Sequence, residues 1–125
     1  MNAVDKGCLG GTYGGNAISS AAASATIDII RNEKLLENAK EMGDLIYHEL
    51  SGVSYITSIR QYGLMIGISL DPRIQTSEIV AKLREKKILV LTAGVNGQYI
   101  RLLPPLNVSR EEILLFTNTL SGLLS

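Results

Sequence analysis

The chain has 125 residues, 46% of them hydrophobic, with twelve Lys and Arg balancing twelve Asp and Glu to a formal net charge of zero. Zero net charge gives no electrostatic case for nucleic acid or an anionic membrane surface as partner. No apolar run reaches the roughly 18 residues of a transmembrane helix, and the length suffices for one modest domain with a core.

In chain order, residues 1–9 carry no clear periodicity and read as a loop or arm. They contain no apolar signal-peptide core. Cys8 is the only cysteine, so no internal disulfide can form, and a reduced, cytoplasmic location is expected. Nothing near Cys8 supports a nucleophilic role, and it reads as a bystander thiol. The next stretch, Gly10-Gly11-Thr12-Tyr13-Gly14-Gly15-Asn16, sets four glycines around one hydroxyl. Asn16 is a good N-cap for a helix over 17–30. Two readings stand side by side: a glycine loop opening a helix suits a phosphate-like anion, or the glycines serve only a tight turn. The stretch lacks both the P-loop ending and the G-x-G-x-x-G spacing.

Within the 17–30 helix, Ile18, Ala22, Ala25 and Ile29 fall at helical spacing among Ser19, Ser20, Ala21, Ala23 and Ser24. Such small residues predict close packing at an interface or under a sheet. Asn32 is expected to cap a second helix with Leu35, Ala39, Met42, Ile46 and Leu50 on its buried stripe. The lone histidine, His48, lies near the end of that helix, where a solvated side chain is the expected reading. A strand is predicted over 53–59, a turn at Gln61-Tyr62-Gly63, and a second strand with Leu64, Ile66, Ile68 and Leu70 on one face. Asp71-Pro72 stops it. Thr76 or Ser77 should cap a third helix with Ile79, Val80 and Leu83 inward and a basic last turn of Arg84, Lys86 and Lys87. A short central strand is expected over 88–91, a loop over 92–97, and a returning strand over 98–102. Ser109-Arg110-Glu111-Glu112 has the capping-box pattern and opens a last helix burying Ile113, Phe116 and Leu120. The order αα-ββ-α-ββ-α predicts a two-layer α/β (α+β) domain with a mostly antiparallel sheet.

Few residues can carry chemistry. No His, Cys and Asp cluster supports a metal, and one histidine supports no Ser-His-Asp arrangement. Arg101 stands out because it lies between Ile100 and Leu102 in an apolar strand. A buried guanidinium needs an anion or hydrogen bonds, and its planar fork suits a carboxylate. Alternation allows the opposite reading equally, with Arg101 on a solvent face.

Three ordered stretches carry a resemblance: Gly11-Thr12-Tyr13-Gly14-Gly15-Asn16; Gly63-Leu64-Met65-Ile66-Gly67-Ile68; and Leu91-Thr92-Ala93-Gly94 followed by Ile100-Arg101-Leu102-Leu103-Pro104-Pro105-Leu106. They are similar to the class III (fold-type I) pyridoxal-phosphate aminotransferases. The resemblance implies that residues 1–15 are an arm and cofactor-phosphate loop from the end of a large domain. It makes residues 16–125 the linking helix and the C-terminal small domain. It implies that Thr12, with Gly11 and Tyr13 beside it, binds the phosphate of pyridoxal 5'-phosphate and reaches the partner subunit's site in a homodimer. It implies that Arg101 binds a carboxylate of the amino-acid or oxo-acid substrate. Arg60 matches a family arginine and reads as structural.

Transamination also needs a lysine bonded to the cofactor and an acid on its pyridine nitrogen. In that family both lie well upstream of the Gly-Gly-Thr motif, and Lys6 is too close to Thr12 to match. The chain therefore reads as the C-terminal portion of such an enzyme, inactive by itself, whether as a truncation, a cloned domain or an internal start. Mitochondrial residence of the whole enzyme stays open. Gly10-Gly11-Thr12 and the Asn96–Tyr99 insert resemble the 4-aminobutyrate (ω-amino acid) branch. Acetylornithine or ornithine aminotransferase is the alternative, and a non-catalytic ligand-binding or assembly domain is another.

Overall fold

Residues 10–125 are described here by a computed structural model. The expected arm over 1–9, with Cys8 and Lys6, lies outside them. The chain divides into two units after Glu33.

In the first unit, α1 (Ala17–Asn32) starts where the sequence places it. The Asn16 side chain accepts from the Ser19 amide at 3.0 Å and satisfies one orphan donor of the first turn. None of α1's residues is buried.

The second unit packs three helices with one sheet. Its elements are α2 (Leu35–Leu50), β1 (Ile56–Tyr62), β2 (Met65–Leu70), α3 (Thr76–Glu85), β3 (Leu91–Ala93), β4 (Tyr99–Leu102) and α4 (Arg110–Leu123). The sheet is antiparallel throughout, in the order β1-β2-β4-β3. The alternation read from the sequence decides its faces. Leu64, Ile66, Ile68 and Leu70 are buried with Ile100 and Leu102, and they join Ile46 and Leu50 of α2, Leu83 of α3 and Leu120 of α4 in one core. The predicted stripe of α2 is buried in full, and so are Ile79, Val80, Ile113 and Phe116. The capping box is closed in both directions. Glu112 N–H donates to Ser109 Oγ at 3.2 Å, and Ser109 N–H donates to Glu112 Oε2 at 2.8 Å.

Five boundaries differ from the sequence reading, each for a local reason. Asn32 ends α1 rather than capping α2, which is entered through Lys34 at φ 52 without a side-chain cap. β1 starts later than residue 53 because the amides of Val53 and Ile56 are used in turns, to Leu50 O and Val53 O, and Tyr55 has φ 67. It also runs on through Gln61 and Tyr62. Tyr62 pairs with Met65, so the turn is the two residues Gly63-Leu64 with Gly63 at φ 56. Thr76 is the first residue of α3 rather than its cap; it is buried, and its hydroxyl donates to Gln98 O at 3.4 Å. Residues 88–90 form no strand. Ile88 N–H is held by Leu83 O at the end of α3, and Lys87 has φ 64. β3 begins only at Leu91 and is an edge strand, so β2 and β4 are the interior pair.

Candidate functional site

Residues 11–14 close a tight turn, with Gly14 N–H donating to Gly11 O at 3.0 Å. Gly15 takes φ 74, so both readings of the stretch have substance: the turn needs glycine here, and it presents polar groups to solvent. Thr12 and Tyr13 are exposed, Tyr13 at 85%. A Cβ at Gly10 or Gly11 would meet nothing within 4 Å, so their bare backbone leaves open space. The amides of Ala17 and Ile18 in the first turn of α1 have no intrahelical acceptor. Exposed hydroxyls, open backbone and a helix N-terminus together can hold an anion.

Arg101 lies in the second unit, on β4. Its neighbours Ile100 and Leu102 point into the core, so Arg101 stands on the opposite, open face of the sheet and is exposed. Register puts it in a cross-strand row: Arg60 opposite Gly67, Gly67 opposite Arg101, and Arg101 opposite Leu91. The next row holds Ser58, Ser69, Tyr99 and Ala93, tied by a 2.9 Å hydrogen bond from Ser58 Oγ to Ser69 Oγ. The Arg60 guanidinium lies 5.7 Å from the centre of the Tyr99 ring, within cation–π range. These residues line a cavity of about 390 Å³ on the open face, shared with Tyr62, Met65 and Ala93. Among the described residues, neither Arg60 nor Arg101 has a carboxylate within ion-pair distance.

The loop following β4 is fixed by α2. Asn38 Nδ2 donates to Leu106 O at 2.7 Å and to Val108 O at 3.1 Å. At the far end of β2, Asp71 takes Nε and Nη2 of Arg73 at 2.9 and 2.8 Å and accepts from the Arg73 amide at 2.9 Å. These bonds hold the Asp71 carboxyl down at about 2. The Ser109 hydrogen bonds likewise lower the Glu112 carboxyl. His48 is exposed in the last turn of α2. No group of three His, Cys, Asp or Glu among the described residues could hold a metal ion, and no helix there is long and apolar enough to cross a membrane.

Gly11, Thr12 and Tyr13 thus share one exposed turn in the first unit, and Arg101 stands on the open sheet face of the second. Arg60, Gly67 and Tyr99 join Arg101 there. Sequence reasoning treated Arg60 as structural and gave Tyr99 no site role, because their meeting depends on register across β2. Counting alternation outward from the buried Ile66 and Ile68 was the available signal.

A family model described as aminotransferase class III matches residues 1–124. An acetylornithine aminotransferase from Oceanobacillus iheyensis is 39% identical over 111 residues, covering 86% of this chain and 27% of that protein. A 4-aminobutyrate aminotransferase from Mycobacterium leprae is 37% identical over 123 residues, covering 89% of this chain and 27% of that protein. Among solved structures, acetylornithine aminotransferase from Elizabethkingia anophelis superposes with a TM-score of 0.80 at 29% identity, covering 99% of this chain and 34% of that one. The chain spans between a quarter and about a third of the length of these relatives. Its four helices and four-stranded antiparallel sheet match their C-terminal region.

Proposed function

Because this chain belongs to the class III aminotransferases, we propose that it supplies two parts of a pyridoxal-phosphate aminotransferase. One part is a phosphate-binding loop, and the other is an arginine for the substrate carboxylate. The reaction moves an amino group from an ω-amino acid such as 4-aminobutyrate to 2-oxoglutarate. The observation that carries the reading is the family match over residues 1–124.

The residues present fit a cofactor phosphate. Thr12 offers a hydroxyl, and Gly11 and Tyr13 lie beside it on an exposed turn with open backbone at the N-terminus of α1. When bound, pyridoxal phosphate supplies an electron sink for the carbanion that transamination requires. This chain's own part is to hold and orient. The Thr12 loop anchors the phosphate, and Arg101 offers its fork to a carboxylate. The small-residue face of α1, which buries nothing here, suits the subunit contact of a homodimer. Relatives carrying the acetylornithine name match as well as the 4-aminobutyrate ones, so acetylornithine or ornithine is the second donor reading. The Gly10-Gly11-Thr12 wording and the Asn96–Tyr99 insert favour 4-aminobutyrate.

Two chimeras test this. Residues 1–124 replace the matching stretch of the M. leprae enzyme in one and of the O. iheyensis enzyme in the other. Each is assayed with its host's named donor and 2-oxoglutarate. The first is expected to keep the larger fraction of its host's kcat/KM. The reverse order would move the donor to acetylornithine, and two folded but inactive chimeras would overturn the catalytic reading.

A further inference from the structure

Gly67 has no local reason to be glycine. It sits in the middle of an interior strand, where glycine costs roughly 0.5–1 kcal/mol relative to alanine. A strand glycine is ordinarily explained by a bulge, a tight bend, or the close approach of a ligand or another backbone. β2 pairs in unbroken register on both sides at this point, and the register shift in β1 lies elsewhere, between Ile56 and Ser58. Gly67 is not among the positive-φ residues, and a Cβ there would meet nothing within 4 Å. Close approach remains.

What approaches is selected by the flanks. Arg60 and Arg101 stand opposite Gly67 on either side, with Cα atoms roughly 10 Å apart by two strand spacings. Tyr99 holds the Arg60 fork over its ring. Between the two cations the cavity wall is apolar, formed by Tyr62, Met65 and Ala93. Its volume of about 390 Å³ suits a small molecule.

We infer that Arg60, Gly67 and Arg101 form a cradle for a short aliphatic dicarboxylate, with one carboxylate on each guanidinium and the methylene spacer across the bare strand at Gly67. Arg60 is then the specificity-determining residue that favours a diacid over a monoacid. The inference rests on Arg101 as a carboxylate ligand and adds the second fork. A planar fork matches one carboxylate bidentately, so two forks separated by an apolar floor match two carboxylates.

The test uses the 125-residue chain and reads backbone amide shifts at Gly67 by NMR during titration with glutarate or butyrate. Glutarate is expected to bind about tenfold tighter than butyrate, the size of one hydrogen-bonded charge pair. Arg60→Gln should bring glutarate down to the butyrate level and leave butyrate unchanged, and Arg60→Lys should recover part of the difference. Gly67→Val should weaken both acids, while Gly67→Ala, which has room for its methyl, keeps the amide dispersion of the fold. Equal glutarate and butyrate affinities, with both lost in Arg101→Gln, would overturn the cradle and leave the Arg101 reading intact. Glutarate binding that survives Arg101→Gln would overturn both. No shift at Gly67 with either acid would give the close approach to another stretch of protein and overturn the ligand reading.

Discussion

Ser109 and Glu112 show how much a few side chains decide. Their reciprocal hydrogen bonds fix the start of α4, and α4 contributes Ile113, Phe116 and Leu120 to the core beneath the sheet. Ser109→Ala should lower stability by about 1 kcal/mol, the usual loss of a helix cap, measured by urea unfolding. Asp71 gives a pH signature at the other end of the sheet. Its folded carboxyl titrates at about 2, below the ordinary 3.8, chiefly through the Arg73 side-chain hydrogen bonds. A lowered carboxyl stabilises the fold above its unfolded value and loses that contribution as pH falls through the folded value. The gap in thermal midpoint between wild type and Asp71→Asn should therefore be full above about pH 4 and close as pH falls toward about 2. Glu112 acts in the same direction, and its gap against Glu112→Gln should also shrink on acidification. A gap that widens on acidification would contradict both assignments.

Gly43 governs the fit between α2 and the β1–β2 hairpin. A Cβ at this helical position would collide with the Gly63 carbonyl and come within 2.7 Å of Gln61 Nε2, which donates to Asp44 Oδ1 at 3.0 Å. Gly43→Ala, although it favours the helix locally, should destabilise by about 1–3 kcal/mol through overpacking against backbone. A thermal midpoint unchanged or raised would refute that close approach. Helical and strand periodicity made most of the elements legible, because burial on one face imposes the pattern: the α2 stripe, the inward face of β2 and the α4 capping box all stand where the sequence puts them. The failures came where apolar content carried no period. Ile88-Leu89-Val90-Leu91 is uniformly apolar, yet Leu89 is 84% exposed and Val90 is buried, because the end of α3 takes the Ile88 amide. The caps at Asn32 and Thr76 failed for a related reason. Both residue types favour helix starts, but the first closes a helix and the second is committed to Gln98. Gly43 left no trace in a hydrophobic stripe. On the sheet, alternation allowed Arg101 either face, and only the pairing of β4 with β2 settles the open one.

At the scale of the molecule, the account separates two tasks: an exposed glycine turn at the start of α1, and an arginine row on the open face of the sheet. The isolated chain with added pyridoxal phosphate should show no transfer from 4-aminobutyrate to 2-oxoglutarate, because both parts hold ligands and neither moves a proton. Turnover above a no-protein control would return Lys6 as a candidate for the bond to the cofactor. The most direct measurement is a pair of mutants in the M. leprae chimera, each titrated for cofactor absorbance and for oxo-acid affinity. Arg101→Lys should weaken the oxo acid by roughly 1.5–3 kcal/mol, the range for a hydrogen bond to a charged group, and leave the cofactor nearly untouched. Thr12→Ala should loosen the cofactor and leave the oxo acid intact. An Arg101→Lys mutant that loses cofactor but keeps oxo acid, or that changes either by less than about 0.5 kcal/mol as ordinary surface substitutions do, would contradict the account.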